Sequence, residues 1–467
     1  MTHLPRPSAD QRTIESEPCP RALGRSLLAT RRWALVACVL ASSMAFIDGT
    51  ALTVALPSLK QDLGADLASV QWVVNAYILA LASLTLIGGA VADARGRRNT
   101  LIWGCAVFAV ASATCALAPT VSVLIVARFV QGMGAALVTP ASLALIGEVY
   151  PQSERSAAIG AWAAASALTT AAGPLLGGWL TENFGWEAVF WINPPLAAGA
   201  IALLWSQVPA GARKSVPFDV LGAGLLTLAL GAAACTVTAP DHFVEAAVVT
   251  VVAGGLFVVH ESRISAPMMP FYLFRRTTFA RLNLATLLIY AGLAVATFLL
   301  PFDLVERRGL SPATAGVSFV PFTLAVGLLS RRFGALADRG SAPFLIGGPV
   351  VAGLGFGLLG GLAQASFTAG VLIPMGVVGL GFALLVAPLT AGVMSSVDDA
   401  DTGLASGINN TASRIAQFIG VALAGLLASQ GMMLGMSVAG ALTALGGLSL
   451  AGLALGRPSP ASEAPRT

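Results

Sequence analysis

Long apolar stretches alternate with short polar segments along most of the chain. Fourteen of these stretches approach the length of about 20 residues that an α-helix needs to cross the hydrocarbon core of a bilayer. The pattern therefore predicts an all-α polytopic membrane protein with fourteen transmembrane helices. The predicted spans are residues 33–57, 70–92, 100–118, 120–147, 156–180, 189–207, 218–238, 243–260, 279–301, 313–335, 343–363, 368–395, 403–428 and 432–455.

The basic residues test this count, because the cytoplasmic loops of membrane proteins carry an excess of Lys and Arg. With the N-terminus placed in the cytoplasm, only Lys60, Arg307 and Arg308 of the 26 basic residues fall outside. Arg128 and Arg414 fall within spans, and the remaining 21 lie in cytoplasmic tails and loops. An error of one span would reverse every later loop. The charges therefore indicate fourteen spans, with both termini cytoplasmic, in a bacterial cytoplasmic membrane.

The composition narrows the class of protein further. Of 467 residues 56% are hydrophobic and 10% are charged, whereas soluble domains have about 25% charged residues. No soluble domain remains in which to place an enzyme active site. The five cysteines form no Cys-x-x-Cys pair and the three histidines are scattered, so we expect no disulfide framework and no metal site. The sequence contains no Walker loop, so we expect no nucleotide cofactor, and we expect no other cofactor either. Its basic residues are spread over the loops, so we expect no nucleic-acid partner.

Two features recur at nearly one offset. The segment GAVADAR at 89–95 returns as GALADRG at 334–340, and Leu-Pro at 56–57 returns at 300–301. We interpret this as a duplication that yields two parallel six-helix bundles related by an axis along the membrane normal. The alternative is a chance similarity between two segments of a sequence rich in Gly, Leu and Pro. The predicted organisation is a disordered cytoplasmic tail (1–32), a first bundle (33–208), two inserted helices (209–265), a second bundle (266–456) and a cytoplasmic tail (457–467).

Six short segments carry distinctive residues in a fixed order. They are DGTALTVALP (48–57), GAVADARGRR (89–98), LIVARFVQGMG (124–134), GPLLGG (173–178), WEAVFWINP (186–194) and GINNT (407–411). Together they resemble the signatures of the major facilitator superfamily and, within it, of the fourteen-span drug:proton antiporter group. The resemblance covers residues 33–455 and implies the major facilitator fold. Ala94 departs from it, because the family usually has a basic residue there; Arg95 follows directly.

A carboxylate and three arginines stand between the second and third spans, beside glycines that let two backbones approach. Crossing a bilayer does not require such a cluster, so we predict a gate that locks and unlocks at the cytoplasmic face. The residues of its two copies are Gly89, Asp93, Gly96, Arg97, Arg98, Asp338 and Arg339. In the fifth span the resemblance implies a kink that seals the cavity against proton leak, and an ordinary helix bend is the alternative. The kink residues are Gly173, Pro174, Gly177 and Gly178.

Asp48 is the only acidic residue well inside a clear span, and an ionisable side chain there is costly enough to indicate function. Asp48 in the first span and Arg128 in the fourth both lie roughly 12–14 Å below the outer edge, at 1.5 Å per residue. A carboxyl that faces a partly dry cavity beside an arginine can bind and release a proton as its surroundings change. We therefore predict that Asp48 binds the coupling proton and Arg128 modulates it. A static ion pair that holds two helices together is the alternative.

Several polar or aromatic residues within spans are candidates for a substrate cavity. We expect Arg414 to extend its side chain to the cytoplasm, with attraction of an anionic group as the alternative. Trp72 is expected in the interfacial aromatic belt. The candidate residues are Asn75, Tyr77, Gln131, Trp162, Asn409, Asn410 and Arg414.

These features predict a proton-coupled secondary transporter that exports lipophilic compounds or drugs by alternating access. The proton gradient would supply the energy, and the protein would work as a monomer in the bilayer. A lone acid suits cationic or neutral substrates better than anionic ones. A carrier of one metabolite, lipid or pathway product with the same fold is the first alternative. A membrane-embedded enzyme or a passive channel is the second, although an enzyme should show clustered polar residues.

Overall fold

The structure is a computed structural model that describes residues 20–209, 219–264, 267–337 and 339–451. Within these ranges the chain forms fourteen consecutive helical units, which we number α1 to α14. They are Pro20–Asp62, Leu67–Arg95, Arg97–Ala116, Val121–Val149, Gln152–Phe184, Ala188–Gln207, Val220–Thr238, Phe243–Glu261, Thr277–Arg307, Pro312–Ala337, Ala342–Gly361, Thr368–Ser395, Thr402–Ala428 and Met432–Leu448. The first thirteen are long and apolar enough to cross a bilayer, and α14 is a shorter apolar helix.

Each predicted span overlaps one of these helices, so the predicted all-α membrane fold is confirmed. The last span was predicted to reach residue 455, whereas α14 ends at Leu448 and residues 452–455 lie outside the described residues. The N-terminal tail differs from the expectation, because α1 begins at Pro20 and not near residue 33. Residues 20–32 are rich in Ala, Leu and Arg, which are strong helix formers and extend the span towards the cytoplasm. Residues 1–19 and the predicted tail at 457–467 lie outside the described residues.

The packing of the helices repeats with a period of eight. In the first half α1 packs against α5 and α6, α4 against α2 and α3, and α3 against α6. In the second half α9 packs against α13 and α14, α12 against α10 and α11, and α11 against α14. Adding eight to each helix number in the first set gives the second set. The two halves are therefore parallel copies of one six-helix arrangement.

The helices α7 and α8 form a pair that lies between the halves in sequence and against both of them in space. Helix α7 packs on α2 of the first half and on α13 of the second. The indole Nε1 of Trp72 in α2 donates a hydrogen bond to Thr238 Oγ1 at the end of α7 (3.0 Å). Trp72 therefore contacts the inserted pair. Helix α8 packs mainly on α7 and leaves most of its apolar surface exposed to lipid.

The cytoplasmic start of α7 is fixed by Asp219. Its Oδ1 accepts hydrogen bonds from the Gly222 backbone N–H (2.8 Å) and lies 2.8 Å from His260 Nε2 at the end of α8. Burial alone would raise the pKa of Asp219, but hydrogen bonds from Gly222, His260 and Glu261 and the electrostatic effect of His260 together hold the pKa below its ordinary value. The carboxylate thus caps one inserted helix and ties it to the other.

Glycines on α4 allow its two neighbours to approach at backbone distance. A Cβ atom on Gly132 would lie 2.5 Å from the carbonyl oxygen of Tyr77 in α2, and one on Gly134 would lie 2.7 Å from the backbone nitrogen of Phe108 in α3. Helices α2, α3 and α4 are therefore held together within about two turns of Arg128. This close packing fixes the position of the polar side chains between them.

Candidate functional site

Asp48 and Arg128 form an ion pair in the interior of the first half. Asp48 Oδ2 and Arg128 Nη1 are 2.5 Å apart, and the two side chains are 0% and 2% exposed. The two residues lie on α1 and α4, which were predicted to carry them at similar depth. The structure places them in direct contact.

The second carboxylate oxygen of Asp48 is also occupied. Its Oδ1 accepts hydrogen bonds from Gln131 Nε2 (2.8 Å) and from Asn193 Nδ2 (3.2 Å). Both amides also donate to Ser112 Oγ, at 3.2 and 2.9 Å. The hydroxyl of Ser112 donates in turn to the carbonyl of Phe190 (2.9 Å). The carboxylate therefore holds partners from α4 and α6 directly, and these partners connect it to Ser112 of α3.

Arg128 is held as firmly as its partner. Its Nε donates to the carbonyl of Val73 in α2 (3.1 Å), and its Nη1 donates to Gln131 Oε1 (2.6 Å). The guanidinium carbon lies 4.3 Å from the ring centroid of Tyr77, which is a close cation–π contact. The charge pair is thus paired and hydrogen-bonded from several sides, as buried charges require. It joins five helices of the first half.

Two expectations about this site change. Asp48 was expected to face a partly dry cavity, but α3 and α6 close around it and leave it without exposed surface. Gln131 was expected to line the substrate cavity, and it lies instead inside the polar network, fully buried. Ser112 and Asn193 were not predicted as site residues. Asn193 stood in a recognised segment, but its contact with Asp48 depends on how α6 packs on α1.

At the cytoplasmic end of α2, Arg97 is the centre of the predicted gate. Its guanidinium contacts Asp93 Oδ1 (3.1 Å) and Glu148 Oε2 (3.4 Å), and it donates to the carbonyl of Ala144 (3.1 Å). These contacts connect α2 and α3 with the end of α4. Glu148 was not predicted, because it belongs to no recognised segment. Gly96 adopts a φ of 93°, which lets α3 start directly after α2.

The other gate residues have separate contacts. Arg98 donates to the carbonyls of Leu204 and Trp205 in α6 (2.9 and 3.1 Å). Gly89 lies against Pro140 of α4. In the second copy, Arg339 is exposed, and Asp338 lies outside the described residues. The first copy of the gate therefore organises the cytoplasmic ends of its own half.

The predicted kink lies where α5 meets two other helices. Gly173 and Gly177 pack against Thr50 and Ala51 of α1, where added Cβ atoms would collide with α1. A Cβ on Gly178 would collide with the carbonyl of Pro312 in α10, and one on Gly316 would collide with the carbonyl of Pro174. The sequence suggested a bend within one helix. The structure shows that the same glycines form a contact between the two halves at the extracellular end.

The remaining substrate-cavity candidates divide into two groups. Trp162 donates from Nε1 to Ser42 Oγ (3.0 Å), and Asn409 donates to Thr286 Oγ1 (2.7 Å), so both side chains hold helices of one half together. The others lie on α2 and α13, which pack against each other across the two halves. They are Asn75, Tyr77, Asn410 and Arg414.

A family model described as Major Facilitator Superfamily matches residues 38–221 and 282–467. The chain belongs to this superfamily. The interval between the matched parts contains almost all of α7 and α8. Because the superfamily consists of transporters, the chain is a membrane transporter and not an enzyme.

Several relatives of this chain are named as resistance or export proteins, which agrees with its assignment to a transporter superfamily. The chain is 34% identical over 410 residues to the multidrug resistance protein Stp of Mycobacterium tuberculosis, covering 85% of this chain and 75% of that one. It is 30% identical over 428 residues to a methylenomycin A resistance protein of Streptomyces coelicolor, covering 87% and 89%. It is 35% identical over 417 residues to the cephamycin export protein CmcT of Amycolatopsis lactamdurans, covering 85% of each. These relatives support the superfamily's drug efflux group and a multi-pass location in a bacterial cell membrane.

Solved structures support the fold. A crystal structure of peptide transporter POT in complex with sulfate superposes with a TM-score of 0.69, covering 91% of this chain and 93% of that one at 17% sequence identity. At this identity the likeness concerns the fold alone.

Removing one partner of the buried Asp48–Arg128 pair should destabilise the protein. Replacing Arg128 with Met should lower the free energy of unfolding by about 3–5 kcal/mol, because the variant leaves the Asp48 carboxylate buried without its counter-charge. The double variant Asp48→Asn, Arg128→Met should recover part of this loss, since neither charge remains. Thermal unfolding of the purified protein in detergent measures both. Arg31→Met, which removes a partly exposed pair with Glu154, serves as a control and should cost less than about 1 kcal/mol. Additive losses in the double variant would contradict the predicted coupling.

Proposed function

We propose that this transporter exports small lipophilic compounds in exchange for protons by alternating access. The observation that carries the proton-coupling part is the buried Asp48–Arg128 pair. Its relatives include proteins named for multidrug resistance, methylenomycin A resistance and cephamycin export, which supports export of small molecules. A carrier dedicated to one compound is the second candidate, since two of these names specify a single compound.

Protonation of Asp48 would change how the helices of the first half are held. A neutral carboxyl no longer forms an ion pair with Arg128, so the buried guanidinium is left without its counter-charge, which is strongly destabilising. The Asp48 side chain has no exposed surface, so a proton reaches it only when the network around it opens. Proton binding is therefore tied to a rearrangement of α1 relative to α3, α4 and α6. Such a link between proton binding and helix position is what a proton-coupled transporter requires.

Contacts across the two halves support a conformation that is closed towards the outside. At the extracellular end, Lys60 pairs with Glu306 (3.0 Å), and Glu182 Oε2 accepts a hydrogen bond from the Ala313 backbone N–H (3.0 Å). The Gln71 side chain donates to the carbonyl of Ala422 (3.0 Å) and is buried. Together with the α5–α10 glycine contacts, these interactions join the halves on one side of the membrane.

The cytoplasmic gate would act in the opposite conformation. In the described ranges the hydrogen bonds and ion pairs of Asp93, Arg97 and Glu148 all lie within the first half. The cytoplasmic half of α5 and the end of α10 carry many exposed residues. The gate charges are therefore available to meet the second half when the cytoplasmic side closes. We assign Asp93 the role of a lock for that closed side.

Asp48→Asn should abolish proton-driven export while leaving the protein folded, because an amide cannot exchange the coupling proton. In everted membrane vesicles with an acidified lumen, accumulation of transported dyes should fall at least about tenfold, to the level of vesicles without the protein. The matched control is Asp62→Asn, at the exposed end of the same helix, which should transport as wild type. Elution of the purified Asp48→Asn variant as a single species in size-exclusion chromatography checks that it is folded. Full gradient-driven accumulation by the Asp48 variant would refute the assignment.

Alternating access predicts that the outer contact must open during every cycle. Cysteines at Glu182 and Ala313, joined by a short thiol cross-linker, should stop dye export, because α5 and α10 can then no longer separate. Each single cysteine variant treated with the same reagent is the control and should keep its export. Undiminished export by the cross-linked protein would contradict the model.

Asp93→Ala should slow turnover several-fold without changing the stability of the first half, because Asp93 is partly exposed and its pair with Arg97 is weak. Initial rates of dye export at saturating concentration measure this. Glu154→Ala, which removes another partly exposed cytoplasmic acid, is the control. An unchanged turnover rate in the Asp93 variant would exclude its role as a lock.

A further inference from the structure

Helix α13 carries a polar stripe in a mostly apolar environment. The stripe recurs at the three- and four-residue spacing that places side chains on one face of a helix. Its members are exposed or half-buried, whereas Ala405 and Ile408 on the opposite face are buried. The stripe residues are Ser406, Asn410, Ser413, Arg414 and Gln417.

Arg414 lies near the middle of the membrane. It is twelve residues from Thr402 at the cytoplasmic start of α13, which corresponds to roughly 18 Å at 1.5 Å per residue. This distance exceeds the reach of one side chain, so the expected extension to the cytoplasm does not fit this position. A guanidinium that faced lipid at this depth would cost at least about 2.5 kcal/mol. The polar stripe therefore faces the space between the two halves.

The packing of α2 on α13 gives the level of Arg414 in the first half. Gln71 meets Ala422 near the extracellular end, and Leu86 meets Gly407 near the cytoplasmic end. The two helices therefore run antiparallel, and Arg414 lies opposite residues 78–79. Helix α13 packs on α2 of the first half and on α9 of its own half. Arg414 thus lies between helices of both halves.

No anion in the described ranges balances this charge. Arg414 forms no hydrogen bond and no ion pair with any residue that the structure describes. Among the described residues, the one carboxylate at a similar depth is Asp48, and it is engaged by Arg128. The contact between the halves therefore carries a positive charge at this depth, whereas a lone acid was expected from the sequence.

Asn75 supplies a second and independent observation. It is fully buried on α2, and neither atom of its amide has a hydrogen-bond partner among the described residues. A buried amide without partners is costly, and native structures contain few of them. The register of α2 on α13 places Asn75 opposite Gln417 and Phe418, one turn from Arg414 on the extracellular side. An unused donor thus stands beside an unbalanced cation.

We propose that Arg414, with Asn75, binds the anionic group of the exported compound, so that the transporter prefers lipophilic monocarboxylates. This inference rests on the proposed function, because it assigns a substrate class to the same transporter. The guanidinium supplies a charge-assisted hydrogen bond to the carboxylate. The choice of substrate charge then depends on the second half, while the proton site lies in the first.

The test uses three probes of nearly equal shape and different charge. They are 2-naphthoate, 2-naphthamide and 2-naphthylmethylammonium, and their binding to the purified full chain is measured by equilibrium dialysis at pH 7.5. Wild-type protein should bind naphthoate most tightly. Arg414→Gln should raise the dissociation constant for naphthoate at least about tenfold and change that for naphthamide less than about twofold. Retained naphthamide binding shows that the variant is folded.

Two further variants sharpen the result. Arg414→Lys keeps the charge and should recover part of the naphthoate affinity, while Arg331→Gln, at the exposed end of α10, should change nothing. Equal effects of Arg414→Gln on naphthoate and naphthamide would overturn the proposal, as would wild-type protein that does not prefer naphthoate.

Transport separates this inference from the proposed function. If wild type accumulates the probes in everted vesicles only with a proton gradient, and Arg414→Gln leaves the ratio of naphthoate to naphthamide unchanged, the anion site is wrong and the exchange mechanism stands. If the binding preference depends on Arg414 but no probe moves with the gradient, the site stands and proton-coupled export is wrong.

Discussion

The buried contact between Asp48 and Arg128 constrains the whole first half of the molecule. Two opposite charges at the centre of a membrane protein are tolerated only when every remaining hydrogen-bonding position is filled. Here the pair, its direct partners and Ser112 lie on five helices, so each of those helices has a defined depth and rotation. The glycines of α4 are part of the same constraint, because only a side-chain-free surface lets α2 and α3 approach Arg128. The hydrogen bonds around this ion pair thus fix the positions of the helices in the first bundle relative to one another.

The second half repeats the helix arrangement without repeating the charge pair. Gly292 stands on α9, 244 residues after Asp48, and packs against Thr443 and Ala439 of α14. A small residue there permits helix contact where the first half has a carboxylate. The duplication has therefore left one half with the buried acid and the other with Arg414. This division fits separate roles for proton coupling and for substrate recognition.

The sequence was sufficient to predict the number of helices, their direction and the duplication, because length, hydropathy and loop charge are local properties. It also predicted Asp48 and Arg128, since ionisable residues in apolar spans are rare. It could not predict Ser112 or Glu148, which look ordinary until α3 and α4 pack around their partners. The position of α7 between α2 and α13 also could not be predicted, because the sequence of an apolar helix does not indicate which other apolar helices it packs against.

The contact between α5 and α10 is made by backbone on both sides, with Gly178 against the Pro312 carbonyl and Gly316 against the Pro174 carbonyl. Side chains can rotate in nanoseconds and admit a file of water, whereas backbone atoms move only with their helix. This part of the extracellular contact therefore cannot open by changes of side-chain rotamer alone. To open it, whole helices must be displaced, which is slower than side-chain rotation. In the proposed cycle, the rate at which ions cross this contact would then follow the motion of α5 and α10.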